Sequence, residues 1–294
     1  MQNQFLRGVG TALVTPFHED GSVDYEAYAR LVDRQVEAGV DFLVPLATTG
    51  ETPALSQEEK VEIYKVVIKH AGGLPIVPGV GVNCMADTLA NIRLLEPFKP
   101  DAFLVVVPYY NKPTQRGQYE YFKAVAQSTD IPIVVYNVPG RTGANMLPDT
   151  LIRLAEDCDN IIAVKEASGN YSQVSEIVRR APEGFSVLSG DDDMTLAFMA
   201  TGADGVISVA SNIAPKEVCC MVDAIMDDDM SLARKMHHKL FPLFKACFVE
   251  SNPIPAKAAL NIMGEMSDTV RLPLAEASQQ TRDLMSNVLE DLWK

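Results

Sequence analysis

The stretch NIIAVKEASGN, Asn160 to Asn170, places a lysine directly after a run of apolar residues. The run Ile161 to Val164 is continuous, which is typical of a strand buried on both faces. Lys165 therefore lies at the end of a core strand, where lysines are rare. Two interpretations stay open at this point. Either the chain leaves the core and Lys165 points to solvent, or its amine has a chemical function.

The length and charge of the chain restrict its class. With 294 residues the chain can bury a large core, and one large α/β domain with an appendage fits as well as two small domains. The formal net charge of -14 argues against nucleic acid or an anionic membrane surface, because both attract basic proteins. We therefore expect a small-molecule partner, no nucleic acid and no membrane.

The cysteines and the apolar runs predict the compartment. The five cysteines include the adjacent pair Cys219 and Cys220 but no C-x-x-C motif, which is typical of buried thiols in a reducing compartment. No apolar run approaches the roughly 18 residues of a spanning helix, and the N-terminal MQNQFLRGVG lacks the apolar core of a signal peptide. We expect a cytoplasmic protein.

Short apolar segments alternate with segments of helical period along the chain. The strand candidates are VGTALVTPF, FLVPLATT, PIVPGVG, AFLVVVPYY, PIVVYNVPG, IIAVKEAS, FSVLSG and GVISVAS. Helices are predicted over Ser56 to Ala71, where Ser56 and Glu59 form a capping box, and over Pro148 to Asp157. Eight strands that are each followed by a helix favour an α/β fold of the (β/α)8 TIM barrel type over an open doubly wound sheet.

The strand pattern stops after the eighth strand. From about Ser231 to Lys294 only helical periodicity remains, with interruptions at ESNPIP and RLP. We predict a catalytic barrel domain over residues 1–230 and a C-terminal helical appendage over residues 231–294. The two should pack as one unit, because no low-complexity linker separates them.

The ends of the predicted strands carry the candidate site, because the active site of such a barrel lies at the carboxyl ends of its strands. These ends hold Thr48 to Gly50, Tyr109, Tyr110, Tyr136, Asn137, Arg141, Lys165, Glu166, Gly190 and Ile207. The four histidines fall outside these ends, and the chain has neither a complete dinucleotide fingerprint nor a phosphate-binding loop. We expect no metal and no cofactor.

An amine surrounded by hydroxyls at the end of a barrel strand suits Schiff-base chemistry. A neutral lysine attacks a ketone, and the protonated imine then withdraws electrons so that the adjacent carbon becomes an enamine nucleophile. Attack near pH 7 requires the lysine pKa to fall by about three units from about 10.4, which corresponds to about 4 kcal/mol. Burial and the Arg141 cation would lower this pKa, and tyrosine and threonine hydroxyls suit the proton transfers.

Each of these residues also has a structural interpretation. Tyr109 and Tyr110 can pack in an interface, Thr48 and Thr49 can cap the helix that follows the second strand, and Arg141 can form a structural ion pair. These alternatives stay open for each residue alone. Their convergence at strand ends favours one shared site.

Six motifs resemble the dihydrodipicolinate synthase and N-acetylneuraminate lyase family of pyruvate-dependent class I aldolases. They are TTGETPAL, VVPYYNKPTQ, YNVPGRTG, IIAVKEASGN, LSGDDD and GVISVASN, in that order, and the resemblance runs from about Gly8 through NPIPAKAAL. It implies condensation of pyruvate with L-aspartate 4-semialdehyde in the diaminopimelate and lysine pathway, as in the synthase branch. N-acetylneuraminate or 2-keto-3-deoxy-acid lyase activity is the alternative within the family, and a non-catalytic binding protein is the alternative of another class.

The resemblance assigns four catalytic roles. Lys165 is expected to form the imine with pyruvate, and Tyr136 to donate and accept protons beside it. Thr48 and Tyr110 are expected to relay protons to solvent. The family takes the tyrosine at Tyr110 from a neighbouring subunit, which implies a homodimer as the smallest competent unit and a homotetramer as the usual form.

The resemblance also assigns the binding residues. Thr49 is expected to hold the pyruvate carboxylate, and Gly190 and Ile207 to shape the pocket. Arg141 is expected to bind the carboxylate of the second substrate through two hydrogen bonds, which a sugar-acid lyase would not need there. Gly140 stands where some members have serine, so the loop can differ in flexibility without a change in chemistry.

Feedback regulation is a further expectation from the resemblance. Lysine-inhibited members bind lysine near the helix after the second strand, with an imidazole and a carboxylate. The matching positions here are Gln57, Lys60, Asn83 and Asp87. Lys60 would repel a cationic ligand unless its side chain extends into solvent. The sequence therefore predicts weak or absent inhibition by L-lysine.

Overall fold

A parallel β-sheet forms the centre of the fold. The computed structural model describes residues 5–294 and contains one sheet of seven strands. The strands are β1 (Gly8–Ala12), β2 (Phe42–Val44), β3 (Phe103–Val106), β4 (Ile133–Asn137), β5 (Ile161–Glu166), β6 (Ser186–Ser189) and β7 (Gly205–Ser208). Their order is β2-β1-β7-β6-β5-β4-β3, and all paired strands are parallel. The carboxyl ends of all seven strands therefore lie at one end of the sheet.

Helices follow most of the strands, and three more close the chain. They are α1 (Tyr25–Ala38), α2 (Gln57–His70), α3 (Met85–Leu95), α4 (Gln115–Ala126), α5 (Pro139–Thr142), α6 (Pro148–Asp157), α7 (Tyr171–Arg180), α8 (Thr195–Ala200), α9 (Pro215–Met226), α10 (Met230–Ala246), α11 (Ile254–Ile262) and α12 (Gln279–Leu292). Within residues 5–294 none of these helices has both the length and the apolar character that crossing a bilayer requires.

The sequence predicted that the segment PIVPGVG forms the third strand. This prediction was wrong, because the segment does not form a regular strand. The segment makes only isolated parallel bridges, from Ile76 to Leu43 of β2 and from Gly79 to Leu104 of β3. Since β2 and β3 are the two edges of the sheet, the segment lies between them and contacts both. A parallel sheet that curls until its edges approach the same segment fits a TIM barrel.

Two prolines explain why this segment is irregular. Pro75 and Pro78 have no N–H groups, so they cannot donate to a strand ladder. Other backbone N–H groups of the segment form hydrogen bonds with both neighbouring strands. Val77 N–H donates to Leu43 O at 2.8 Å, and Val80 N–H donates to Leu104 O at 3.0 Å. The sequence thus placed the segment correctly in the sheet but overestimated its regularity.

Three aspartates that precede strands hold the amino ends of neighbouring segments. Each accepts a backbone N–H: Asp41 from Val9, Asp101 from Ile76 and Asp204 from Val187, at 2.7 to 2.8 Å. Gly8 has a φ of +81°, and a Cβ there would stand 2.0 Å from Oδ2 of Asp41. A glycine is therefore required where Asp41 reaches across to β1.

The two helices that the sequence delimited are confirmed. Helix α2 begins after Ser56, whose side chain accepts from Glu59 N–H while the Glu59 side chain accepts from Ser56 N–H. Helix α6 spans Pro148–Asp157, which the helical spacing of Leu147, Leu151 and Leu154 predicted. Leu151 and Leu154 are buried, whereas Leu147 precedes the helix and is exposed. Local signals were sufficient here because caps and apolar spacing act within a few residues.

A buried ion pair joins the C-terminal helices to the end of β2. Lys257 on α11 donates to Glu51 Oε1 at 2.7 Å, and both side chains are almost fully buried. The second oxygen of Glu51 accepts from Arg271 N–H at 3.0 Å. The Lys257 ammonium also lies 4.1 Å from the centre of the Phe17 ring. These contacts hold α11 against the turn that follows β2.

We predict that Lys257→Ala lowers the free energy of unfolding by about 3–5 kcal/mol, because it leaves the Glu51 carboxylate buried without its partner. Chemical denaturation monitored by circular dichroism measures this change. The double variant Glu51→Gln/Lys257→Met should lose less, since no charge stays buried. Arg179→Ala, which removes an exposed ion pair with Glu176, is the control and should cause no measurable change. If Lys257→Ala lowers the free energy of unfolding no more than Arg179→Ala does, the prediction is wrong.

Candidate active site

Lys165 lies inside the end of the sheet. It belongs to β5 and only 4% of its surface is exposed. Parallel pairing places Lys165 directly opposite Tyr136 of β4, and the Lys165 Nζ lies 4.4 Å from the centre of the Tyr136 ring. The interpretation that Lys165 points to solvent is therefore wrong.

The surroundings of Lys165 favour its neutral form. Burial lowers the pKa of Lys165 from 10.5 to about 8, and the Arg141 cation acts in the same direction, while Asp191 and Asp192 oppose them. With a pKa of about 8, roughly a tenth of these amines are neutral at pH 7. This makes Lys165 a competent nucleophile toward a carbonyl carbon.

Tyr136 keeps its proton at neutral pH. Burial raises its pKa to about 12, although Arg141 and a hydrogen bond from Thr48 act in the opposite direction. A protonated phenol beside the Lys165 amine can donate a proton to an oxygen that leaves the carbon under attack. The predicted pair of amine and phenol is therefore present in the fold, while its catalytic role stays a prediction.

A cavity of about 240 Å³ lies at the carboxyl ends of β2, β3 and β4. Thr48, Tyr136 and Arg141 line it, together with Tyr109 and Lys60. Arg141 and Lys60 are the two charged residues of the lining, and no carboxylate lines it. The cavity is therefore positively charged, in a chain whose net charge is -14, and suits an anionic ligand.

The turn after β2 positions two threonines. Residues Thr48–Gly50 form one turn of 3₁₀-helix, in which Thr48 faces the cavity and Thr49 is buried. The Asn252 Nδ2 group donates to Thr49 Oγ1 at 2.9 Å. Neither threonine caps α2, because Ser56 does so. The structural alternative for these threonines therefore does not hold.

Arg141 is free to bind a ligand. It lies on α5 and its side chain is exposed, and its contact is a 3.5 Å hydrogen bond from Nη2 to Asn252 O. Within residues 5–294 no carboxylate forms an ion pair with it, so the structural bridge considered as an alternative is absent. A Cβ at Gly140 would have no heavy atom within 4 Å, so the packing leaves room for the serine of other members.

Gly190 and Ile207 contribute to the site in different ways. A Cβ at Gly190 would stand 3.1 Å from Lys165 Cε and 2.6 Å from Ala167 Cβ, so this position allows the close approach of backbone to lysine. Ile207 on β7 is fully buried and packs in the same apolar cluster as Tyr136. Neither residue lines the cavity, so their predicted role in shaping the pocket stays a prediction.

Tyr110 lies apart from the other candidates. It is 87% exposed, has a φ of +71° and does not line the cavity, whereas its neighbour Tyr109 does. A non-glycine residue in this left-handed conformation is uncommon. Within one subunit, Tyr110 is therefore not brought to Lys165.

The sequence predicted no role for two groups of residues near Lys165. Asp191 and Asp192 follow β6 and act by charge on Lys165. Glu166 is fully buried and accepts hydrogen bonds from Asn137 Nδ2 and Gln173 Nε2. The acidic run in LSGDDD and the glutamate next to Lys165 were visible in the sequence. Neither pattern indicated which carboxylate would act on Lys165 and which would bind the amides of Asn137 and Gln173.

The Glu166 network fixes the strand ends behind the site. Asn137 and Glu166 are the residues next to Tyr136 and Lys165, and they pair at the same register of β4 and β5. Their hydrogen bond at 3.0 Å therefore holds Tyr136 and Lys165 side by side on the other face. Across residues 5–294, no three His, Cys, Asp or Glu side chains form a group suited to a metal ion.

Comparison with known proteins places this site in a family. The model of the Dihydrodipicolinate synthetase family matches residues 5–292. The 4-hydroxy-tetrahydrodipicolinate synthase of Parabacteroides distasonis is 48% identical over 288 residues, which cover 98% of this chain and 97% of that protein.

Solved structures agree with this match. The dihydrodipicolinate synthase of Acinetobacter baumannii, in a chloride-inhibited form complexed with pyruvate, has a TM-score of 0.95 at 38% identity, covering 98% of this chain and 99% of that one. The dihydrodipicolinate synthase of Cyanidioschyzon merolae with lysine bound has the same TM-score, identity and coverage. On the strength of the full-length match and these relatives, the chain belongs to the dihydrodipicolinate synthetase family.

Proposed function

We propose that this protein is a lyase of the class I aldolase type that condenses pyruvate with L-aspartate 4-semialdehyde on Lys165, as a 4-hydroxy-tetrahydrodipicolinate synthase. The observation that carries the proposal is the buried Lys165 amine with its lowered pKa beside the Tyr136 phenol. The named relatives support the synthase and give no support to the alternative sugar-acid lyase. No cofactor is needed, since the imine itself withdraws the electrons.

The reaction begins with addition of the amine to the keto carbon of pyruvate. The neutral Lys165 Nζ forms a bond to this carbon, and the carbonyl oxygen takes up protons and leaves as water, which gives a cationic iminium. Loss of a proton from the methyl group then gives an enamine. We assign the proton transfers to Tyr136, which is buried and protonated, with Thr48 and a Tyr110 hydroxyl as the relay to solvent.

The enamine carbon then attacks the aldehyde carbon of the second substrate and forms the new carbon–carbon bond. The amino group of that substrate displaces Lys165 from the former keto carbon, which closes the ring and frees the enzyme. We assign the pyruvate carboxylate to Thr49 and its backbone N–H, with Asn252 holding the threonine hydroxyl. We assign the second carboxylate to the exposed guanidinium of Arg141, and the pocket walls to Gly190 and Ile207.

The scaffold and assembly are part of the proposal. We propose a closed (β/α)8 barrel over residues 1–230 and a C-terminal helical region over residues 231–294. The ion pair between Lys257 and Glu51 supports the packing of the helical region against the barrel. We propose a homodimer as the smallest competent unit, usually within a homotetramer, because Tyr110 is exposed and reaches no site of its own subunit. A cytoplasmic location fits the five free thiols.

We predict that Lys165→Ala forms no pyruvate adduct and loses activity by roughly a thousandfold or more, because it removes the buried amine beside Tyr136. Borohydride reduction with pyruvate followed by peptide mass analysis locates the adduct. Lys257 is an internal control, since burial also lowers its pKa to about 8 but Glu51 binds it. An adduct on Lys257, or full adduct formation by Lys165→Ala, would contradict the assignment.

We predict that Tyr110→Phe lowers kcat far more than it weakens pyruvate binding, because it removes a hydroxyl but little contact area. Steady-state kinetics measure both quantities. Tyr171→Phe, at an exposed tyrosine of α7, is the control and should leave kcat unchanged.

Mixing tests the subunit origin of Tyr110. Subunits with Tyr110→Phe and subunits with Lys165→Ala should each have little activity alone. Hybrids should regain activity, because one site in each mixed dimer recovers both groups. Hybrids verified by native mass spectrometry that regain no activity would show that Tyr110 acts within its own chain.

We predict weak or absent inhibition by L-lysine, with half-inhibition above about 1 mM. Lys60 lines the cavity and is half-buried, and burial lowers its pKa while the Asp87 charge acts in the opposite direction. Two cations about 4 Å apart repel by about 4 kcal/mol at an effective dielectric near 20, before screening by salt. Steady-state rates at rising L-lysine concentrations measure the effect.

Variants of α2 test this explanation for the inhibition. Lys60→His should lower the half-inhibitory concentration of L-lysine, because an imidazole that is neutral at pH 8 removes the repulsion. Lys69→His, at an exposed position of the same helix, should leave it unchanged. Strong inhibition of the unmodified protein below about 1 mM would show that Lys60 does not exclude lysine.

A further inference from the structure

The run Asp191 to Asp193 after β6 contains three carboxylates in different surroundings. Asp192 accepts from Val209 N–H and Ala210 N–H, both at 3.0 Å, so its carboxylate holds the turn after β7. Asp193 pairs with Lys245 at 3.2 Å. The Asp191 carboxylate has no hydrogen-bond or ion-pair partner within residues 5–294, although it is only partly exposed. Of the three, only Asp191 is left without a structural partner.

The backbone of Asp191 is fixed even though its carboxylate is not paired. Its N–H donates to Ser189 Oγ at 3.3 Å, and its carbonyl accepts from Ser189 Oγ at 2.9 Å and Thr195 Oγ1 at 3.0 Å. These bonds hold the residue at the end of β6, which pairs with β5. The side chain therefore projects from a rigid position next to the strand that carries Lys165.

Asp191 follows directly on a residue that packs against the reacting lysine. The preceding residue, Gly190, lies so close to Lys165 that a Cβ there would stand 3.1 Å from Lys165 Cε. Among charged groups, Asp191 acts most strongly on the pKa of Lys165. The charged or titratable groups around Asp191 are Asp192 and Asp193 on its own segment, Lys165 and Glu166 on β5, and Tyr136 on β4.

The reaction places conflicting demands on the charge at this nitrogen. Burial and the Arg141 cation favour the neutral amine that attacks pyruvate. The same two effects disfavour the iminium, which is cationic and buried in the same place. Without a nearby negative charge, the surroundings that activate the amine would destabilise the intermediate that follows it.

We propose that the Asp191 carboxylate is the counter-ion of the iminium on Lys165, an inference that rests on the Schiff-base function proposed above. The carboxylate belongs to the segment that packs against Lys165 and has no structural partner, so its charge is available to the cation. It forms no bond to pyruvate and takes no proton in this role. Asp192 also acts on Lys165 by charge, but its Oδ2 is held by the two backbone N–H groups that follow β7.

The ionisation of Asp191 fits this role at the pH of the reaction. Burial and the neighbouring Asp193 raise its pKa to about 6, with Lys165 acting in the opposite direction. The carboxylate is therefore mainly charged above pH 7. In that range it also raises the pKa of Lys165, so it slows attack by the amine while it stabilises the product of that attack.

The variant Asp191→Asn tests the proposal through imine formation with pyruvate alone. The rate of borohydride-trapped adduct formation falls at low pH, and this fall is the acid limb of its pH profile. In Asp191→Asn the acid limb should shift by roughly one unit to lower pH, because the Lys165 amine deprotonates more easily. The pyruvate concentration for half-maximal trapping should depend on pH. At pH 7 both the free ammonium and the iminium are cations, so this concentration should stay near the unmodified value. At pH 9 only the iminium is a cation, so the pyruvate concentration for half-maximal trapping should rise about tenfold.

Two further variants separate charge from structure. Asp191→Glu keeps the charge and should restore both the acid limb and the pyruvate affinity at pH 9. Asp193→Asn, which loses the contact with Lys245, is the control and should leave both unchanged. Circular dichroism verifies the fold of each variant, and Asp191→Ala replaces Asp191→Asn if the latter does not fold.

The outcomes distinguish this proposal from the proposed function. If the unmodified protein forms the Lys165 adduct and Asp191→Asn shows an unshifted acid limb, or a loss of pyruvate affinity equal at pH 7 and pH 9, the counter-ion role is wrong and the Schiff-base function stands. If the unmodified protein forms no adduct, both are wrong. A shifted limb together with a loss of affinity confined to high pH would support the counter-ion role.

Discussion

The parallel pairing of β4 with β5 is the constraint on which the candidate site depends. It sets Lys165 opposite Tyr136, with the amine 4.4 Å from the centre of the phenol ring. A slip of β5 by one residue would turn Lys165 to the other face of the sheet, away from Tyr136. The hydrogen bond between Asn137 and Glu166 fixes this register from the other face. The chemistry of the amine thus depends on two residues that do not face it.

The C-terminal helices take part in the site as well as in the fold. Asn252, just before α11, donates to Thr49 and accepts from Arg141. One turn further along, Lys257 holds Glu51 at the end of the turn that carries the threonines. The residues that bind carboxylates in the proposed reaction are therefore oriented by a segment outside the sheet. A change in the helical region would alter the site without touching Lys165.

Charge is distributed so that an acidic protein offers a cationic cavity. Arg141 and Lys60 line the cavity, and no carboxylate does, although the chain has a net charge of -14. Both substrates of the proposed reaction carry carboxylates, which this lining attracts. Asp191 follows Gly190, which packs against Lys165, and it does not line the cavity. In the proposed reaction, the cationic lining binds the substrate carboxylates and the Asp191 carboxylate stabilises the cationic intermediate.

The sequence by itself determined most of the strands and helices and the position of Lys165 at the end of a core strand. The apolar run that ends at Lys165, the capping box at Ser56 and the leucines of Pro148–Asp157 are local patterns, and the structure confirms each of them. Only the tertiary structure decided how PIVPGVG joins the sheet, which carboxylate is left for Lys165 and which residues hold the Thr48 turn. The contacts from Asn252 to Thr49 and from Lys257 to Glu51 join positions 203 and 206 residues apart. No local pattern encodes such pairs, because their partners meet only after the sheet has curled and the C-terminal helices have packed against it.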